Sequence, residues 1–386
     1  MITRALPATV VATAVMVAAF LLIPARHAGA LDPWFGVDSS DALRYITMAN
    51  GGEVEYPWGG RWSIPWISSL FGDSATTVLR VLNYVFAFAA TTLITYSAAK
   101  LSGSYRAVAA AWLFTATGAA YTLLFQNPYL LDSAGLLVIA LIGFCYLRHR
   151  DLPMLALILI GVTVKEVVIG FLVLLLFRRQ WALFSIGAVA SCALLAYGVH
   201  SSPPGSALFP EPGFGIVVKG WFGFGAGWVL ILAGISSLGL YIARSSHKAK
   251  AVQELRSSGP AQYFATVVVI ALASLPLATD TSRLLVFALP ATLPITAVVL
   301  SKCTRRTLLI ACGLAVPAVF VVLPTRVSFA LKPEVLTQLE EWYAANIAAI
   351  FVATVLSTVG ACIAARPLLA RSPSRVDALS DLGVTQ

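Results

Sequence analysis

Lys165 and Glu166 stand side by side in "LILIGVTVKEVVIGFLVLLLF", residues 157–177, and are the only charges in that run. An ammonium and a carboxylate in apolar surroundings are costly unless they pair, bind something or face water. Similar residues recur at other places along the chain. Asp38 and Asp41 precede "LRYITMA", with Tyr45 four residues after Asp41 and therefore on the same helical face. Arg61 follows in "GRWSIP". Asp132 opens the apolar "DSAGLLVIALIGF", where a carboxylate caps orphan amides or projects into a cavity. Asp280 and Arg283 lie three apart in "ATDTSRLLVFALP", a spacing that pairs them on a helix. An arginine grips an oxyanion such as phosphate bidentately, a lysine acts as a point charge, and a carboxylate takes up a proton or holds a cation in place. Each of these residues alone is more readily structural than functional, so their meaning depends on whether the fold gathers them.

The elements that must do the gathering are written in the composition. Of 386 residues, 59% are hydrophobic and 11% charged, with mean hydropathy +0.86, far more apolar than a soluble domain of this length. The expected fold is an all-α polytopic membrane protein. Apolar segments fall at about 5–24, 74–99, 107–125, 130–147, 152–177, 181–199, 226–243, 262–279, 284–300, 307–324 and 346–365. They form one transmembrane domain over 1–366, with a long outer loop at 25–73 and a disordered cytoplasmic tail at 367–386. The net charge of +9 does not imply nucleic acid, because the basic residues sit in short connections where they orient helices. The five cysteines follow neither zinc nor disulfide spacing. Residues 5–24 read as a retained first helix, although "HAGA" at 27–30 also resembles a signal-peptide cleavage site.

Counting basic loops predicts a reversal inside 152–177. If that run crossed once, the basic connections 244–261 and 301–306 and the basic tail would all lie outside, against the positive-inside rule. One extra turn at Lys165-Glu166 restores them. It divides the run into halves of about 12 and 11 residues, each rising only about 17 Å and too short to span a bilayer. The expectation is about ten full transmembrane helices plus a short-helix, re-entrant hairpin at 152–177, with its charged tip facing a cavity open to the outer face. The competing reading is one spanning helix with a locally paired Lys and Glu.

On this topology most acids fall near the outer face, as do the clusters at 38–45, 61, 132, 165–166 and 280–283. In the first outer loop a short helix is expected through "DALRYITMA", capped by Ser39 or Ser40 and ended by "NGG". "RWSIPWISSLFG" reads as an amphipathic piece on the membrane. Trp34, Trp58, Trp62 and Trp66 are read as interfacial anchors, with sugar stacking as the sharper alternative.

In the order and sidedness of "DALRY", "GRWSIP", Asp132, "VKE" and "DTSRLLVFALP", the chain resembles the GT-C superfamily of integral membrane glycosyltransferases over most of residues 1–300. The resemblance implies a bacterial inner-membrane enzyme with both termini cytoplasmic. Such an enzyme moves a sugar from a polyprenyl-phosphate donor to a glycan, lipid or protein acceptor on the periplasmic side, with inversion. It also implies a catalytic acid in the first outer loop, a role that falls on Asp41 with Asp38 close behind. Arg61, Lys165 and Arg283 would then bind the lipid phosphate, while Glu166, Asp132 and Asp280 hold those cations and Tyr45 shares the face of Asp41. Charge builds on both sides of an oxocarbenium-like centre, so such a transfer needs a base at the acceptor and positive charge at the departing phosphate. No metal-ligand set stands out and no cofactor is expected. The expected partners are the lipid-linked donor, the acceptor and membrane lipids. The short C-terminal part departs from larger members, which leaves the acceptor open. A transporter or lipid-linked glycan flippase is the main rival reading, since broken segments and intramembrane ion pairs also mark alternating-access sites; a non-catalytic assembly partner is a third.

Overall fold

The computed structural model describes residues 7, 10, 11, 13, 14, 41–116, 129–203, 259–274, 286–301, 304–310 and 312–313. Asp38, Asp280, Arg283, the segments 226–243 and 346–365, most of 5–24 and 307–324, and the tail 367–386 lie outside the described residues. Every regular element among those described is helical. They are α1 (Asp41–Ala49), α2 (Ser63–Ser69), a 3-10 turn (Gly72–Ser74) running into α3 (Ala75–Ser102), α4 (Tyr105–Ala116), α5 (Asp132–Leu147), α6 (Asp151–Val162), a 3-10 segment (Glu166–Leu172) running into α7 (Val173–Phe177), α8 (Trp181–His200), α9 (Gly259–Ser274) and α10 (Leu289–Ser301). Two helical runs, Gly72–Ser102 and Trp181–His200, are long and apolar enough to cross a membrane, while the helices at 132–147, 151–162, 166–177, 259–271 and 289–298 are apolar but shorter.

Local chemistry explains the ends. α1 stops at "NGG" in a Schellman turn: Gly51 takes φ +81°, the Gly52 amide donates to the Thr47 carbonyl at 2.9 Å and Gly51 donates to Met48 at 3.1 Å. α3 ends at Gly103, φ +67°. The turns after α5 and α7 use the same device with side chains in place, His149 at φ 57° and Arg179 at φ 59°. Their following amides, from Arg150 and Gln180, reach back to the carbonyls of Cys145 and Leu175.

The run 151–177 does not continue as one helix. β-branched residues at 162–164 are weak helix formers, and the last turn of α6 tightens as the amides of Val164 and Lys165 both donate to the Gly161 carbonyl. Lys165 is extended, φ −153° and ψ 123°, and the 3-10 segment then leads the chain back. The two ends meet: Arg178 Nη1 lies 2.8 Å from Asp151 Oδ1, and the same guanidinium donates to the Tyr146 carbonyl and lies 4.3 Å over the Tyr146 ring. A straight helix would hold residues 151 and 178 about 40 Å apart. Gly161 permits the close approach of the two limbs, since a Cβ there would lie 2.5 Å from Val168 Cγ1 and 2.8 Å from Val138 Cγ1.

The described part is therefore a two-ended bundle. At the loop end, α1 and α2 pack on the start of α3, and Tyr45, Ile64, Leu79, Leu131 and Val164 share a buried cluster. At the basic end lie the turns after α3, α5 and α7. Between them the main core joins Ala87, Ala90, Ile94 and Ala98 of α3 to Leu136, Ile139 and Ile142 of α5, Phe171 and Leu174 of the hairpin, and Leu289, Leu293 and Ala297 of α10. The alanines on α3 let its neighbours approach closely. α8 rises from the basic end to the loop end, where Gly198 meets Gly60 so closely that a Cβ would lie 2.7 Å from the Gly60 Cα.

Candidate functional site

The tip of the hairpin lies against α5 on one side and the loop 50–62 on the other. Because Lys165 is extended, its side chain and that of Glu166 diverge, and each meets a different element. Lys165 Nζ is 2.8 Å from Asp132 Oδ1, with only 7% and 4% of the two side chains exposed. The ammonium also lies 5.7 Å over the Phe287 ring. Gly135, one turn into α5, makes the room: a Cβ there would lie 3.0 Å from Phe287 and 3.3 Å from the Lys165 stem. Asp132 is the first residue of α5 and so lies beside that helix's orphan amides.

Glu166 turns the other way. Its carboxylate accepts from Arg61 bidentately, Nε at 2.8 Å and Nη2 at 3.1 Å, and Arg61 Nη1 donates to the Tyr45 hydroxyl at 2.9 Å. The fork of Arg61 thus joins the loop, α1 and the hairpin tip in one contact set. Burial works against the guanidinium's charge, but Glu166 and Tyr45 more than offset it and hold its pKa well above the ordinary arginine value. Burial raises the pKa of the nearby Tyr56 phenol, Glu166 raises it further, and Arg61 opposes both. Ser63 Oγ donates to the Thr163 carbonyl at 3.2 Å, so a freed backbone group at the break also finds a partner.

Around this centre the loop is braced by Arg44, whose Nε is 2.6 Å from Glu55 Oε1 and whose guanidinium lies 3.9 Å over Trp58. For Glu55, burial would raise the carboxyl pKa, but its own backbone amide and Arg44 outweigh that and hold it below the usual value. Of the tryptophans read as anchors, Trp66 is exposed (55%), whereas Trp62 turns inward, its ring edge-on to Tyr197 of α8 with centroids 6.1 Å apart.

Tyr45, Arg61, Asp132, Lys165 and Glu166 therefore gather at one end of the bundle. Asp41 begins α1 one turn before Tyr45; Asp38, Asp280 and Arg283 lie outside the described residues. Lys165 and Glu166 are partnered by Asp132 and Arg61, not by each other. The Arg44–Glu55 and Arg178–Asp151 pairings and the places of Tyr56 and Phe287 went unread in the sequence. Arg44 alone carried a signal, since a cation one turn before "MANGGEVE" faces an acidic loop. No cluster of three or more metal-ligand side chains occurs among the described residues. Compared with protein-family models, curated proteins and solved structures, the chain has no match.

Proposed function

We propose that the chain is a multi-pass membrane glycosyltransferase that moves a sugar from a polyprenyl-phosphate donor to an acceptor at its loop end, with inversion. The observation that carries this reading is the gathering of Arg61, Lys165, Asp132 and Glu166 at a helix break beside α1, the helix that Asp41 opens. Membrane placement draws on the two long apolar helices and on exposed apolar stripes: Val81, Val85 and Phe88 on α3, and Trp181, Ile186 and Val189 on α8. An exposed apolar face of that length is costly in water and natural against lipid. On this reading the basic end is cytoplasmic, the loop end is periplasmic, and the hairpin is re-entrant, with its non-helical backbone and charges buried in protein.

In the proposed reaction Asp41 takes the proton of the acceptor hydroxyl as its oxygen attacks the anomeric carbon. The bond to the lipid phosphate breaks on the opposite face of the sugar, and the electron pair leaves with the phosphate. Arg61 and Lys165 offset the charge that builds there, each pre-positioned by its carboxylate. Asp38 would stand in support of Asp41, and Asp280 and Arg283 would complete the phosphate side.

The test is transfer from polyprenyl-phosphate monosaccharides by the purified chain in proteoliposomes. Asp41→Asn is expected to lose about 100- to 10,000-fold in kcat, the usual share of a general base, and Lys165→Ala to lose both donor affinity and rate. Full activity in a folded Asp41→Asn protein removes Asp41 from the catalytic role. Uptake of a solute without any lipid-linked sugar would favour a transporter instead.

A further inference from the structure

At the basic end, between α3, α5, α9 and α10, runs a narrow groove with about 310 Å³ of unfilled space, part of it open to the exterior. Its walls are chiefly apolar and include Ile94, Leu101, Phe144, Leu147, Phe264 and Pro294. Its lining runs from Ile94 to Leu101 on α3 and from Ala140 to Leu147 on α5, about two helical turns or roughly 10 Å, the length of a stretch of one hydrocarbon chain. At its mouth the chemistry changes sign. The Arg148 guanidinium lies 4.2 Å over the ring of Phe144, itself a groove wall, and Lys100 directly precedes Leu101. Both cations are exposed. Among the described residues no carboxylate pairs with either, and the acid at this end, Asp151, is taken by Arg178.

We infer that this groove binds one anionic phospholipid, an acyl chain lying between α3, α5, α9 and α10 and the phosphate resting on Arg148 and Lys100. The inference rests on the membrane placement proposed above and not on the transferase chemistry. Basic charge turned toward a cytoplasmic leaflet attracts anionic headgroups in general. The groove adds what a diffuse surface charge lacks, an apolar channel beginning at the cation that the headgroup would meet. Stacking on Phe144 holds the guanidinium beside that wall of the groove, where it can grip two phosphate oxygens.

The probe is phosphatidylglycerol against phosphatidylcholine of the same acyl chains, added to the full chain in detergent. Binding is read by native mass spectrometry and by the shift in thermal unfolding midpoint. Phosphatidylglycerol is expected to bind more tightly, with roughly fivefold lost for each of Arg148→Gln and Lys100→Gln. Leu147→Trp, which fills the groove, should weaken binding of both lipids. Arg106→Gln, an exposed charge at the same end but outside the groove, should leave the preference intact. Arg148→Lys, which keeps the charge, should retain most of it. Equal binding of the two lipids overturns the inference. So does a loss in Arg106→Gln as large as that in Arg148→Gln, since the charge then acts diffusely. Inorganic phosphate that reproduces the shift overturns the chain-binding half. A protein that alkaline carbonate strips from membranes would sink the membrane placement itself, whereas an integral protein without lipid preference sinks only this site.

Discussion

Asp132 and Lys165 form a buried pair whose members cannot be removed one at a time without leaving a bare charge. Lys165→Met or Asp132→Asn alone is expected to cost about 3–5 kcal/mol, while the double replacement should cost much less than the sum. Denaturation midpoints in mixed detergent for the four proteins of this cycle measure the coupling, and strictly additive losses would deny it. Glu55 gives a pH-dependent counterpart. Its carboxyl is held below the ordinary value in the folded chain, so the stabilisation from Arg44 is present above the unfolded carboxyl pKa of about 4.3. It is lost as pH falls through the lower folded value. The stability difference between the native chain and Glu55→Gln should be constant above about pH 5 and vanish in more acid solution; a difference that grows toward low pH would contradict the sign. At both sites burial penalises the charge and a specific partner offsets it, so the identity of the partner sets the effect. That is why the sequence revealed charged residues needing partners but not which partner each would take. The choice follows from one extended residue, Lys165, which throws neighbouring side chains to opposite sides.

Among the elements, the hairpin shows how far loop charge carries. The imbalance of the basic loops predicted a reversal near Lys165-Glu166, and the chain turns back at 163–165, within the limits set by Val162 and Glu166. The helix over "DALRYITMA" and its stop at "NGG" were likewise legible, because a left-handed glycine and its two back-bonds are local chemistry. The 3-10 form of the returning limb was not legible. It depends on Val168 packing against Gly161 and on Gly170, where a Cβ would lie 2.9 Å from Ile270 of α9, contacts that no local pattern announces. Gly161→Ala should therefore destabilise by about 1–3 kcal/mol, the usual cost of overpacking against stiff β-branched neighbours. Gly313→Ala, with open space around it, should be neutral or slightly stabilising. Thermal unfolding of the two variants side by side decides whether the limb contact is as tight as it stands.

For the whole molecule, the two-ended arrangement makes a topological prediction. Single cysteines placed at 149 and 179 in a chain with its native cysteines replaced should react with an impermeant reagent from one side of the membrane. Those at 51 and 202 should react from the other; labelling of 149 and 179 from opposite sides would show a spanning helix in place of the hairpin. Periodicity and length made the long helices readable, with α8 at 181–200 against an expected 181–199. The meeting of α8 with the loop through Gly198 and Gly60 was not readable, since two glycines far apart in sequence give no signal of contact. The reversal also bears on how the chain is made. Arg61, Asp132, Tyr146 and Asp151, the partners that receive Lys165, Glu166 and Arg178, all lie upstream of them. A ribosome has therefore already released the hairpin's ionic partners before its tip emerges, while the apolar contacts with Ile270 and Phe287 follow later, and the nascent chain carries its own charged template for turning back.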